Sequence, residues 1–207
     1  MQDITQFNQK DIEILDETLL YNGFFKMKKI RFRHKLFNGG MSGEVSRELL
    51  ERGEAAAVIA YDPAADKVIL VEQVRIGAYD PASEQSPWLL ELIAGMVEAG
   101  ETPRAVAIRE SREEAGIRLS RLEPVFSIWD SPGGSRERIH LFVAQVDSGT
   151  AGGIHGLAGE HEDIKVHVLE RRTAYHWLCT GKINNAVTLI GLQWLQLNYL
   201  DLQARWC

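Results

Sequence analysis

A glycine-flanked loop running into a glutamate-rich helix, Gly95–Ile117, constrains this chain more than any other segment. It fits the pattern G-x5-E-x7-R-E-U-x-E-E-x-G-U, where U is a bulky apolar residue, with fixed letters at Gly95, Glu101, Arg109, Glu110, Glu113, Glu114 and Gly116. With each residue type near about 5–7% of average usage, a chance match is of order one in a million. Ser111 departs from the pattern, standing at an apolar position. The local grammar predicts a helix. Thr102 is an N-cap, Pro103 fits the first helical position, and Gly116 is a left-handed stop. About thirteen residues between them give roughly 20 Å of helix. Residues three and four apart share a face, so Glu110, Glu113 and Glu114 point one way. Ala107, Ile108, Ser111 and Ala115 form an adjacent apolar stripe. One side is expected to pack on a core while three carboxylates converge beside it.

Like charges at this spacing weaken an isolated helix, and most glutamate-rich helices are simply solvated. The Gly95–Gly100 loop and the complete pattern weigh toward cation binding instead. Carboxylate oxygens are hard ligands that suit Mg²⁺ or Mn²⁺, ions that keep waters and bind phosphates at the same time. Such a cation neutralises a diphosphate and activates a water. Arg109, beside this face, is placed to orient a carboxylate through a bidentate pair.

The rest of the chain has the makeup of an ordinary soluble globular protein, with 45% hydrophobic and 25% charged residues in 207. A net charge of −6 argues against a general nucleic-acid binder. The two cysteines, Cys179 and Cys207, offer no disulfide framework and suit a reducing cytoplasm. The opening Met1–Thr5 lacks a basic, apolar leader, and no apolar run approaches the ~20 residues that span a bilayer. A cytoplasmic protein without membrane or nucleic-acid partners is expected.

Ile12–Leu20, Phe24–Arg33 and Met41–Leu50 read as strands, with Asn22-Gly23 and Asn38-Gly39-Gly40 as turns. They suggest a small antiparallel sheet over residues 1–50, apart from the domain that carries the pattern, residues 51–207. Ala55–Tyr61 and Lys67–Val74 form a hairpin, Ala78–Pro87 a loop, and Trp88–Ala94 a strand delivering the chain to Gly95. Strands near Val125–Trp129 and Arg138–Val146 follow. The glycine-rich Ser148–Glu162 is a long loop of the kind that is often functional. Lys165–Leu169 is a strand, and Arg172–Thr180 and Asn184–Arg205 are helices. The last is apolar enough that packing within the domain is the expected role, with a dimer contact as the alternative.

The pattern is the Nudix box. Together with Pro132, fifteen residues beyond its end, it resembles the ADP-ribose pyrophosphatase branch of the Nudix hydrolases. Further segments carry the resemblance: Ser131-Pro-Gly-Gly134, Gly153-Ile-His-Gly-Leu-Ala158, Glu160-His-Glu-Asp163, Val166-His-Val168, Tyr21-Asn-Gly-Phe-Phe25 and Arg31-Phe-Arg-His34. It implies an α/β fold: a Nudix α/β/α sandwich around a mixed sheet, plus a small N-terminal antiparallel β subdomain for dimerisation. A domain-swapped homodimer is implied as well. Position by position, the resemblance puts metal ligands at Glu110, Glu114 and the carbonyl of Ala94, with Glu162 as an additional ligand. It makes Glu160 the general base, and Glu113 a further box carboxylate that holds a second ion or orients a water. Arg75 falls where the diphosphate is contacted and Glu137 near the terminal ribose, with Ser131 also in the substrate set. Phe24 and Arg47 fall where adenine is gripped across the dimer, a ring and a guanidinium able to stack on a base.

The implied activity is Mg²⁺-dependent (or Mn²⁺-dependent) hydrolysis of ADP-ribose to AMP and ribose 5-phosphate. Hydrolysis of GDP-mannose or ADP-glucose is the near alternative, since the box reads the diphosphate and not its ends. A non-catalytic ADP-ribose sensor is a distant one, because it would need a basic DNA-binding addition. His155, His161 and His167 match no zinc spacing and read as structural. The Gly133-Gly134 and Gly152-Gly153 pairs read as turns.

Overall fold

The computed structural model describes residues 6–207, so Met1–Thr5 lies outside the described residues. The chain divides into two compact units, one reaching Gly53 and including Trp129–Glu137, the other Glu54–Ile128 with Arg138–Cys207.

The first unit holds strands β1 (Ile12–Asn22) and β2 (Lys26–His34) and the first half of β3 (Val45–Asp62). β1 and β2 pair antiparallel from Ile12↔His34 to Asn22↔Lys26, and β2 pairs antiparallel with β3 from Phe32↔Val45 to Lys26↔Glu51. The turn between β1 and β2 closes through Gly23 N–H donating to Phe25 C=O at 3.1 Å. Trp129–Glu137, which sequence reading did not assign here, is tied on by contacts to the second half of the 45–53 stretch. Leu50 N–H donates to Gly134 C=O at 2.8 Å, Arg136 pairs with Glu51 at 2.8 Å, and Arg52 pairs with Glu137 at 3.0 Å. Among the described residues of this unit, Ile30 is the one buried apolar side chain. Ile12, Ile14, Leu19, Leu20 and Tyr21 of β1 stay exposed.

In the second unit, β3 pairs antiparallel with β6 (Ile93–Met96) and β4 (Lys67–Val74), and β4 with β5 (Trp88–Glu91) and β10 (Ile164–Glu170). β9 (Ile154–His155) pairs with β10, while β8 (Ser135–Gln145) pairs with β3 and β7 (Arg121–Trp129). The run Ala56–Tyr61 is apolar without a gap because both faces of its sheet are covered. Ala56, Val58 and Ala60 join Val106, Ala107, Ala115 and Ile117 of the box segment in one core. Ala57, Ile59 and Tyr61 join residues of α2 (Arg171–Cys179) and α3 (Ala186–Trp206) in the other. With the box helix α1 (Pro103–Glu113) on one face and α2 and α3 on the other, this is the expected α/β/α sandwich.

Two readings from sequence need correction. Met41–Leu50 and Ala55–Tyr61 are not separate strands but lie on one long strand, β3, which runs through Gly53 at φ +83°. Trp88–Ala94 is two strands, broken at Leu92, whose N–H leaves the ladder and donates to Thr188 Oγ1 at 2.9 Å. α3 packs inward through Leu192, Leu195, Leu202 and Trp206. It packs tightly at Gly191, where a Cβ would stand 2.6 Å from Leu92 Cδ1 and 3.2 Å from Ile59 Cγ1. Gly191→Ala is therefore expected to lose about 1–3 kcal/mol through overpacking, despite alanine's better helix propensity. Thermal melts should show this as a drop of about 2–4 °C per kcal/mol. A melting point at or above wild type would mean that the sheet yields freely.

Candidate active site

α1 begins as its sequence dictates, with Thr102 Oγ1 accepting from Ala105 N–H at 3.2 Å and Pro103 in the first turn. It ends at Gly116, φ +65°, whose N–H donates to Arg112 C=O at 3.0 Å, and Ile117 N–H adds a second closing bond to Ser111 C=O at 3.0 Å. Ser111, the departure from the pattern, is fully buried and donates its hydroxyl to Ala107 C=O at 2.7 Å, so its polar atom is satisfied inside the helix. The buried stripe is Val106, Ala107 and Ser111, continued by Ala115, while Ile108 is only half-buried.

Glu110 and Glu113 share Arg109, and Glu114 takes other partners. Glu114 is almost completely buried, at 3% exposure, and both its oxygens accept hydrogen bonds: Oε1 from Gln73 Nε2 at 3.2 Å, Oε2 from Ala94 N–H at 3.0 Å. Burial drives its pKa up to about 8, with the nearby Glu110 charge adding to the rise and Ala94 N–H opposing it. Glu110 reaches to β6 so closely that a Cβ on Gly95 would overlap its carboxylate. That is why this end of the loop is glycine. Burial also raises the Glu110 pKa, opposed by Arg109. Arg109 joins four groups: Glu101 through Nε and Nη2, each at 3.1 Å, Glu110 and Glu113 through Nη1 at 2.7 and 2.9 Å, and weakly Met96 C=O. Its charge is held firmly and Glu101 is drawn below the usual carboxylate range.

The three helix acids lie within electrostatic reach of one another, Glu110 feeling Glu113 and Glu114 feeling Glu110. Among the described residues no three or more such side chains gather into one cluster. Arg109 Nη1 bridges Glu110 and Glu113, while Ala94 N–H of β6 and Gln73 hold Glu114. The donor set still suits a hard divalent cation. It is all oxygen, two of its carboxylates are held uncomfortably as anions by burial, and Gly95 leaves the room that Glu110 occupies.

The stability of the cation-free protein should follow. Glu114 has a folded pKa near 8 against 4.5 unfolded. Its contribution is whole below pH 4.5 and is lost as pH rises toward 8, because the unfolded chain gives up the proton first. In chelator, the melting point should fall between about pH 5 and 8, and added Mg²⁺ should restore it at the alkaline end. Glu114→Gln should flatten that slope; an equal slope in the variant would assign it to other groups.

The remaining candidates fall in both units. In the second, Arg75 follows β4 and donates from Nε to Glu91 Oε2 at 2.8 Å, and Glu91 is a half-buried acid whose pKa is raised by desolvation and opposed by Arg75. Arg75 also lowers the pKa of Glu114 through space. Glu160 is exposed at the end of a 3-10 turn, Ala158–Glu160, and makes no side-chain bond among the described residues. Glu162 is half-buried, its Oε2 accepting from Leu157 N–H at 3.1 Å. In the first unit, Phe24 is 86% exposed and packs edge-on to Phe25, and Arg47 donates to its neighbour Ser46 C=O. Ser131 anchors a turn by accepting from Gly134 and Ser135 N–H groups, and Glu137 is buried against Arg52. Gln73 and Glu91, which hold Glu114 and Arg75, escaped the sequence reading. The period-two signal was available for one: Gln73 is two residues before Arg75, on the same side of the chain as it leaves β4.

The sequence profile of the NUDIX domain matches residues 51–178. This chain belongs to the Nudix family. Over its full length it is 65% identical to a Haemophilus influenzae protein named ADP-ribose pyrophosphatase, covering 95% of that relative. An Escherichia coli K12 protein of the same name is 52% identical across 97% of this chain and 95% of its own. A Pectobacterium atrosepticum protein named GDP-mannose pyrophosphatase is 34% identical across 88% of this chain and 92% of its own. A solved structure titled as an ADP compounds hydrolase superposes with a TM-score of 0.69 at 20% identity, covering 94% of this chain and 97% of its own, and so shares the Nudix fold. No helix among the described residues is long and apolar enough to cross a membrane.

Proposed function

We propose that this Nudix protein is an ADP-ribose pyrophosphatase that needs Mg²⁺, with Mn²⁺ able to replace it, and that it acts in the cytoplasm as a domain-swapped homodimer. The observation that carries the activity is 65% identity over the whole chain to a protein of that name, against 34% for the relative named for GDP-mannose. Glu110, Glu114, Glu162 and the Ala94 carbonyl would hold the cation. When bound, it would offset charge on the diphosphate oxygens and make a water more acidic.

The chain's own groups do the rest. Arg75, anchored at Nε by Glu91, keeps its two terminal nitrogens for a phosphoryl group, the fork geometry that suits one. Glu160 takes a proton from the water that attacks one phosphorus. The new P–O bond forms as the bridging P–O bond breaks, leaving AMP and ribose 5-phosphate. Glu113, held by Arg109, orients that water or supports a second ion. Glu137 and Ser131 bind the ribose end, and Phe24 and Arg47 stack on adenine supplied by the partner subunit. Product analysis with ADP-ribose, ADP-glucose and GDP-mannose tests the assignment: the highest kcat/KM should go to ADP-ribose, and a higher value for GDP-mannose would overturn it.

The dimer reading is supported by the exposed apolar row on β1, in a unit that buries so little of its own apolar surface. If Phe24 and Arg47 serve the partner's site, their alanine variants should raise KM more than they lower kcat, since they bind a part of the substrate remote from the reaction. A mixed dimer of one Arg47→Ala chain and one Glu114→Gln chain should place both lesions in one site and leave the other intact. It should then recover roughly half of wild-type activity at low substrate. No recovery, or a monomer in solution, would sink the shared site.

A further inference from the structure

His155 lies outside every role assigned above, yet it touches the box. A Cβ on Gly116 would overlap His155 Cε1 and stand 3.1 and 3.2 Å from the two ring nitrogens, so the imidazole rests against the C-terminal end of α1. Gly116 is therefore glycine for two reasons: its positive φ and the ring beside it. The ring is held from behind by a 2.8 Å bond between Nε2 and Gly152 C=O, and its backbone is paired with Ile164 of β10. The next residue continues the contact, Gly156 N–H donating to Glu113 C=O at 3.2 Å. Gly156 has φ +104°, and a Cβ there would meet Glu162 Cβ at 2.7 Å. Glu162 in turn closes on Leu157 N–H and lies within the electrostatic reach of Glu110. An unbroken set of contacts thus runs from the end of α1 through His155 and Gly156 to Glu162.

We propose that His155 is a positioning residue: its ring seats the 152–162 loop on the end of α1 and so sets the place of the Glu162 carboxylate relative to Glu110. The proposal rests on the reading of Glu110 and Glu162 as cation ligands and is independent of which nucleotide sugar is hydrolysed. Groups that orient metal ligands from behind typically contribute about 10–100-fold in metal affinity.

The test is Mn²⁺ binding to the full-length, substrate-free protein, counted from the electron paramagnetic resonance signal of free Mn²⁺, with thermal melts alongside. His155→Ala should weaken binding by about 10–100-fold, and His155→Gln, whose amide reaches for Gly152 C=O, should recover most of it. Gly116→Ala should weaken binding too, and by less when His155 is already alanine, since the ring it displaces is gone. If His155→Ala does not fold, His155→Leu, which keeps volume without the hydrogen bond, carries the same expectation. Wild-type Mn²⁺ affinity in folded His155→Ala overturns the proposal, including the case in which only the melting point falls. Wild-type affinity in Glu162→Gln overturns it differently, by removing Glu162 from the ligands. Neither result touches the ADP-ribose assignment, because no substrate is present.

Discussion

Glu114→Gln should lower kcat by about 10²–10⁴ while the protein still folds. Both effects have a structural reason. The carboxylate sits at 3% exposure between two donors, Gln73 Nε2 and Ala94 N–H. A glutamine there keeps the volume and gives its oxygen to Ala94 N–H. Its new N–H₂ then faces Gln73, whose own amide can turn to present oxygen, so no buried polar atom need go unpaired. The anion is lost, however, and with it the charge that a divalent cation would answer. The variant should melt at or above wild type in chelator, since it removes a buried acid whose pKa is pushed up to about 8. Steady-state kinetics at saturating Mg²⁺ decide the matter. Turnover near wild type would refute Glu114 as a ligand, and a collapsed melting point would mean that its hydrogen bonds matter more than its charge.

The second large effect is expected at Glu160. Removing a general base typically costs about 10²–10⁴ in rate. Glu160→Gln should show that loss in kcat, with a Mn²⁺ affinity far closer to wild type than in Glu114→Gln. The geometry favours this separation. Glu160 is exposed on its 3-10 turn, followed by His161 in the left-handed region at φ +57°, and its carboxylate is engaged by no partner among the described residues. Glu162, two residues on, is half-buried and hydrogen-bonded to Leu157 N–H. One carboxylate is thus free to meet a water and accept its proton, while the other is held in place. Full activity of Glu160→Gln across the pH range would move the base elsewhere, with Glu113 and Glu162 next in line. Loss of Mn²⁺ binding in step with activity would make Glu160 a ligand instead.

The box helix was legible from its residues because its determinants are local. Thr102, Pro103 and Gly116 act on backbone within a turn of themselves, and the buried and acidic stripes follow from a 3.6-residue repeat. The strands over Ala55–Tyr61 and Lys67–Val74 were legible for a similar reason, an apolar run or alternation that declares which faces are covered. The family resemblance added the branch and the site assignments, and identity over the whole chain supports the branch. The errors fall where a distant residue decides. Leu92 breaks its strand because its N–H has a better-placed acceptor on Thr188, 96 residues away. Trp129–Glu137 joins the N-terminal unit through Leu50, Glu51 and Arg52, contacts that no local pattern announces.

The same division runs through the site. The sequence by itself determined that Glu110, Glu113 and Glu114 share a helix with Arg109, because spacing along a helix is fixed by covalent geometry and the hydrogen-bond ladder. Only the tertiary structure decided what each acid becomes. Burial beside β6 lifts Glu114 toward neutrality, Arg109 draws Glu113 to itself, and Gly95 makes room for Glu110. The pairing of Gly116 with His155 belongs to that second kind too. Desolvation and Coulomb energy depend on what surrounds a charge in space, and a helix repeat does not specify those neighbours.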